Sequence, residues 1–294
     1  MRVRRRNLVP LLAFGAAVAV VVAPGVLAQE ASSGASLNLI FPSDGAVVRS
    51  TDIPVHVDVG GFTIACDEAG MPDRDGVGHI HVMLDGMSMA QLTNFYCAQE
   101  FMISGQGVDP GQHTLMVDLA TNTHGDMEDT AKTVSFLYQP TTPPAPLPQP
   151  GDNAGQSVEI TSPASGATLG PQFTVEVVAP NFNPSCDLEG KPDIGGVGHY
   201  HVIVDEGSMM MGGGGQGMSM PMDQSSGMQE MMTMPGMIAM PCTNSIPVDL
   251  SAWPSGRHTI TVELEQNDHT PMIGADGAPH SSQITITLQN PFRP

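Results

Sequence analysis

The residues best suited to chemistry in this chain are histidines in pairs. His79 and His81 form one H-x-H pair, and His199 and His201 form another. On a β-strand, successive side chains alternate between faces, so both imidazoles of a pair project from one face about 7 Å apart. Two neutral imidazoles on a rigid strand hold a metal ion when a third ligand closes the site. His124 and His269 are the candidates for that role. Each lies 11 residues after a histidine (His113 or His258) that opens an alternating segment. If that segment runs antiparallel to the H-x-H strand, its end meets the start of the pair. His124 then falls beside His79 and His81, and His269 beside His199 and His201. His113 and His258 fall at the other end, near Asp85, and are the weaker ligand candidates. The competing reading has all these histidines buttressing loops by hydrogen bonds, with no ion bound. Matched spacing of three histidines in two places brings the metal reading level with it.

Methionine is the second unusual feature. Of 21 methionines, 12 lie between Met209 and Met240. That segment has neither helical nor strand periodicity and is rich in Gly, Ser, Gln and Pro, so it reads as a flexible loop without a core role. Thioethers are soft, neutral ligands that select Cu(I) over harder ions. Met218, Met220 and Met222 form the sharpest cluster, and Met87 with Met89 is a smaller echo. The alternatives are an adaptable surface for a partner or a sacrificial oxidant sink.

The four cysteines read as two disulfides, Cys66–Cys97 and Cys186–Cys242. Each would stabilise its surroundings by roughly 3–4 kcal/mol on a loop-entropy argument. The acidic turns that follow Cys66 and Cys186 lack the EF-hand ligand spacing, which makes calcium a weaker cofactor candidate than copper. Zinc is likewise a weaker candidate than copper.

What positions these residues is a duplicated β-domain. The stretch C-D-E-A-G-M-P-D-R-D-G-V-G-H-I-H-V (66–82) matches C-D-L-E-G-K-P-D-I-G-G-V-G-H-Y-H-V (186–202). Cys66 to His79 and Cys186 to His199 are both 13 positions, and Cys97 to His113 and Cys242 to His258 are both 16. Such agreement marks an internal repeat, with copies at 37–139 and 158–290. A Pro-rich linker (140–157) lies between them, and the second copy carries the Met-rich insertion at 207–241. Segments such as I-P-V-H-V-D-V (53–59) and H-T-I-T-V-E-L (258–264) alternate with period two, the mark of half-buried strands. Turn signals fall between them at sandwich-like spacing. The fold class expected is all-β: two tandem antiparallel immunoglobulin-like sandwiches, with a barrel as the rival.

The run G-H-Y-H-V-I-V-D, then G-R-H-T-I-T-V-E-L, then N-D-H-T-P-M resembles a bacterial secreted β-domain family of unknown function. Its members carry G-H-H-H-L-L-I-D, G-x-H-T-L-x-L and D-x-H-x-P in that order. Here Ile80 and Tyr200 replace the middle histidine, and the cysteines and Met-rich segment are additions. The resemblance implies an exported β-domain and supplies no activity.

Composition narrows the functional classes. Residues 1–28 read as a signal peptide: a basic start, an apolar run from Leu8 to Val22, and small residues near Ala28. An uncleaved N-terminal anchor is the alternative, so the expected location is extracellular, periplasmic or cell-surface. Beyond residue 28 the chain holds 6 basic and 30 acidic side chains, a net of −24. It therefore lacks the cations needed to neutralise phosphates, and nucleic acid is excluded as a partner. Nothing argues for catalysis: there is no nucleophile elbow and no phosphate-cradling glycine loop. The expectation is an exported copper-binding protein, with a metal ion and a cell-envelope or extracellular protein as partners. The alternative is a structural or adhesive module.

Overall fold

The structure is a computed structural model and describes residues 34–151, 155–205 and 234–293. The signal segment 1–28 and the proposed ligands Met218, Met220 and Met222 lie outside the described residues.

The first half contains nine strands among the described residues. In chain order they are β1 (Ser36–Phe41), β2 (Val47–Val48), β3 (Ile53–Gly60), β4 (Thr63–Ile64), β5 (Val77–Leu84), β6 (Leu92–Tyr96), β7 (Glu100–Ile103), β8 (Gly111–Thr121) and β9 (Asp126–Tyr138). The second half repeats them as β10 (Glu159–Ser162), β11 (Thr168–Leu169), β12 (Gln172–Val178), β13 (Asn183–Pro184), β14 (Val197–Val204), β15 (Met237–Ala239), β16 (Ser245–Asp249), β17 (Gly256–Glu265) and β18 (Ser281–Leu288). Each half is an immunoglobulin-like sandwich. One sheet has the order β1-β3-β7, and the other β2-β9-β8-β5-β4 with β6 also paired to β5. The second half has β10-β12-β16 and β11-β18-β17-β14-β13, with β15 paired to β14. The repeat read from cysteine and histidine spacing is thus matched strand for strand. The sheets depart from a purely antiparallel pattern at their short edges, where β2, β4, β11 and β13 pair in parallel.

Period-two alternation gives each sandwich its core. In β3, Ile53, Val55 and Val57 are buried while His56 and Asp58 face outward. They meet Ile80, Val82, Leu84, Leu115, Val117, Leu119 and Phe136 from the opposite sheet. The second core repeats this with Val175, Val177, Tyr200, Val202, Ile260, Val262 and Ile286. Non-directional burial of these side chains is what holds the two sheets of each sandwich together.

The H-x-H strands do not alternate. All eight residues of β5 are buried, and so are seven of eight in β14. One face of each strand lines its own core, and the other packs against the opposite sandwich. A third apolar cluster fills that interface: Met83, Leu92, Met237 and Met240, with Phe95, Met116 and Ile203 against them. The expectation that the methionines of 209–240 stay out of any core fails for Met237 and Met240. Unbranched thioether side chains fill an irregular gap between two sheets well, and strand pairing of Met237–Ala239 with β14 fixes them there.

Close main-chain approach makes this interface possible, and glycine permits it. Gly70 has φ +77°, and a Cβ there would fall 2.6 Å from the Gly236 carbonyl carbon. Gly190, its counterpart in the repeat, has φ +72°, and a Cβ would meet the Gln91 and Leu92 carbonyl oxygens at 2.7 Å. Only glycine satisfies both the left-handed backbone and the missing space.

Candidate metal centres

Each H-x-H pair acquires its third histidine by the route that antiparallel pairing suggests. β5 pairs with β8 so that His79 faces Ala120 and His81 faces Asp118. The chain leaves β8 at Thr121, and His124 in the following turn swings back over the start of β5. In the second sandwich β14 pairs with β17, with His199 opposite Glu265, and His269 follows in the next turn. His124 and His269 both take left-handed backbone angles, φ +66° and +62°. Histidine tolerates this region better than most residues, and backbone strain of this kind is typically found where a side chain must be aimed.

The aim is convergent. His79 Nε2 lies 3.1 Å from His81 Nε2, which is 3.4 Å from His124 Nδ1. In the second triad the three separations are 3.2, 3.0 and 3.5 Å, between His199 Nε2, His201 Nε2 and His269 Nδ1. Ligand nitrogens 2.0–2.1 Å from a tetrahedral ion stand about 3.4 Å apart; the second triangle has that size on all three sides and the first on the two sides given, with all its ligand atoms within 4.8 Å of one another. All six side chains are buried, with relative exposures of 0–7%.

Burial disfavours the charged form of His79, His124, His199, His201 and His269. It pushes His79, His199 and His201 well below the ordinary histidine range, with the neighbouring histidines adding to the effect. Burial, then the charge of His81, takes His124 down to about 3, against the opposing pull of the Met237 carbonyl. His269 falls to about 4, again chiefly through burial.

Hydrogen bonds outside the triads engage the second nitrogen of His81, His124 and His269. His81 Nδ1–H donates to Asp126 Oδ1 at 2.9 Å, so its Nε2 presents a lone pair. His124 Nε2–H donates to the Met237 carbonyl at 3.0 Å, so its Nδ1 does likewise. When the His81 ring is neutral, two lone pairs face each other across 3.4 Å, an arrangement that a cation relieves. In the second triad His269 Nε2–H donates to the Leu92 carbonyl at 2.6 Å, leaving Nδ1 free to coordinate. Glu265 Oε1 stands 3.6 Å from His201 Nδ1. His79 Nδ1 and His199 Nδ1 are buried without a hydrogen-bond partner. A neutral ring that keeps its proton there has its Nε2 lone pair aimed into the triad. Metal-bound histidines ordinarily have such carboxylate or carbonyl partners on their second nitrogen.

These supporting groups escaped the sequence reading. Asp118 and Glu265 are nearly inaccessible, and burial raises both carboxyls to about 9, with Asp126 and Glu263 respectively contributing next. The Leu92 and Met237 carbonyls each come from the opposite sandwich. The signal for Asp126 was its position two residues after His124; for the main-chain carbonyls there was none.

The remaining expected positions are placed as follows. His113 Nδ1 bonds Asp85 Oδ2 at 2.6 Å and its Nε2–H donates to the Asp109 carbonyl. His258 does the same with Asp205 and Pro254. Both are used up in local bonds at strand starts and lie apart from the triads. The four cysteines form Cys66–Cys97 and Cys186–Cys242, leaving no thiolate for a metal.

No family model matches the chain, and no curated protein matches it. Its resemblance to a secreted β-domain family therefore rests on the motifs alone. Among solved structures it is similar to the fibronectin(III)-like modules of Clostridium thermocellum CbhA, at 11% identity over 86% of this chain and 94% of that one, with a TM-score of 0.24. It is also similar to Parabacteroides merdae β-glucuronidase, at 9% identity over 86% of this chain, with a TM-score of 0.23. A third is the four N-terminal Ig domains of Dscam1 isoform 7.44, at 10% identity over 87% of this chain, with a TM-score of 0.20. The chain spans 24% of the glucuronidase and 46% of the Dscam1 fragment. Likeness at these TM-scores carries no argument about function, which rests on the chain's own residues.

Proposed function

We propose that this is an exported copper-binding protein that sequesters, buffers or delivers the ion, and that it works by binding and not by catalysis. The observation that carries this reading is the convergence of three buried ring nitrogens, twice, with separations of 3.0–3.5 Å close to those of ligands on one ion. The histidine triads would hold copper within the protein. The Met-rich segment 209–240, with Met218, Met220 and Met222, would capture Cu(I) from outside and pass it inward. The two disulfides suit a protein that works beyond the cytoplasm.

The test is metal content by mass spectrometry after separate loading with Cu(I), Cu(II) and Zn(II). Wild type is expected to retain two copper ions in the triads plus those held by methionine. Deletion of 209–232, which spares the buried Met237 and Met240 of the interface, removes the methionine share, and replacement of His199, His201 and His269 by Ala removes one tight ion. Retention of no metal at micromolar affinity overturns the copper reading. The enclosure of both triads by the interface would then support the alternative, a structural module in which histidines serve packing.

A further inference from the structure

The two disulfides occupy equivalent places in the repeat, yet the residues beside them differ. Three residues after Cys66 stands Ala69; three after Cys186 stands Glu189. Glu189 is almost wholly inaccessible, its Oε2 has no hydrogen-bond partner, and its Oε1 lies 3.3 Å from Cys242 Sγ. A disulfide sulfur carries no proton, so the only donor available to this contact is the carboxylic acid itself. Cys186 is exposed, Cys242 is half-buried, and Cys186 and Glu189 line one cavity of about 160 Å³ together with Tyr96 and Lys191. A buried unpaired carboxyl aimed at a sulfur calls for a reason.

We propose that Cys186–Cys242 is a site of thiol–disulfide exchange with an exported dithiol protein, in which Glu189 supplies the proton to the departing Cys242 sulfur. The partner's thiolate attacks the exposed Cys186 Sγ, forming an intermolecular S–S bond as the Cys186–Cys242 bond breaks. The electron pair goes to Cys242 Sγ, which takes the Glu189 proton. The partner's second thiolate then attacks the mixed disulfide and releases Cys186. The partner ends oxidised to a disulfide, both cysteines end as thiols with Cys186 taking its proton from solvent, and solvent also reprotonates Glu189. A good leaving sulfur speeds such exchange, and an acid held beside it makes it one.

The groups around Glu189 are consistent with that role. Burial raises it well above the ordinary carboxylate range; Lys191 opposes the shift and Asp187 adds to it. Lys191 is committed elsewhere, since its ammonium donates to the carbonyls of Ser104, Gln106 and Asp187. Burial, offset by Thr93, holds the nearby Tyr96 phenol protonated. Cys66–Cys97 offers an internal control, because its neighbouring acid Glu68 is engaged by Arg74 at 2.7 Å. This inference is independent of the metal reading.

The experiment opens both disulfides in the same full-length molecule with dithiothreitol and scores each by alkylation and peptide mapping. At pH 7, Cys186–Cys242 is expected to open about a hundredfold faster than Cys66–Cys97, the order of effect a positioned acid supplies. Glu189→Gln should abolish most of that ratio while the circular dichroism stays that of wild type. The wild-type ratio should also shrink as pH rises and Glu189 ionises. Equal opening rates, or a ratio unchanged in Glu189→Gln, overturn the proposal. Should that variant fail to fold, equal opening rates of the two disulfides in the wild type overturn it on their own. Metal-loaded and metal-free protein should give the same ratio, which separates this test from that of copper binding.

Discussion

His124, in the first sandwich, donates its Nε2 proton to the main-chain oxygen of Met237, in the second, across 3.0 Å. The relation is reciprocal, because His269 of the second sandwich donates to Leu92 of the first at 2.6 Å. Each acceptor lies on the edge strand paired with the other sandwich's H-x-H strand. The third nitrogen of either site is therefore aimed by residues that do not belong to that site's own domain.

A first prediction concerns that mutual aiming. Gly190→Ala places a methyl 2.7 Å from the Gln91 and Leu92 carbonyl oxygens at a residue with φ +72°. The left-handed backbone alone costs an alanine about 1–2 kcal/mol, before any clash. The interface must shift, and Leu92 moves off His269. We expect a lower unfolding midpoint and weaker metal retention in the second site, read by chemical denaturation and by metal stoichiometry. A variant with wild-type stoichiometry and midpoint would show that the interface does not aim the ligand.

Asp126 gives a sharper test of ligand orientation. Asp126→Asn keeps the shape but weakens the acceptor for His81 Nδ1–H. Loss of such a partner typically costs 10–100-fold in metal affinity. Competition against a chelator should show that loss at one site of the two, because the second triad has Glu265 in the corresponding role.

The titration of His124 predicts a pH dependence of stability. Its value in the folded protein, about 3, lies below the 6.5 of an unfolded histidine. Below pH 6.5 the unfolded chain therefore binds a proton that the folded one refuses, and stability falls as the pH drops. Between pH 7.5 and pH 5.0 the loss is about 2 kcal/mol. The buried acids Asp118 and Glu265, raised to about 9, work in the opposite direction, so the effect must be isolated by difference. Urea midpoints of wild type and His124→Ala, both metal-free, should converge by about that amount as the solution is acidified. A constant difference would show that His124 takes up its proton in the folded state.

The same burial makes metal retention insensitive to mild acid. With His124 at about 3 and His269 at about 4, neither ligand is protonated at pH 5 while the fold holds. Bound metal should stay constant from pH 7 to pH 5 and fall below pH 4, whereas a surface histidine site would empty near pH 6.5. Equilibrium dialysis across that range measures it.

Much of this arrangement was legible in the chain. The H-x-H pairs, the interval to His124 and His269, and the antiparallel rule together bring the triads into register, because all of these are local or follow from strand pairing. The interface was not legible. β5 reads V-G-H-I-H-V-M-L, and alternation assigns one of its faces to a core but cannot say what covers the other. The cover consists of Leu92 and residues 236–240, remote in sequence, and Met237 lies in a stretch whose composition suggested a loop. Asp126 and Glu265 were hidden for a different reason. They support equivalent histidines from non-equivalent positions, so aligning the halves passes over both.

The reciprocal interface has the form of a twofold dimer contact made between the halves of one chain. A separate half would need to find a second copy before its histidine could be aimed, and its ion-binding would fade on dilution. Joined by a short connection, the halves meet at an effective concentration set by the linker, on the order of millimolar. Occupancy should then depend on the amount of metal alone and not on the amount of protein.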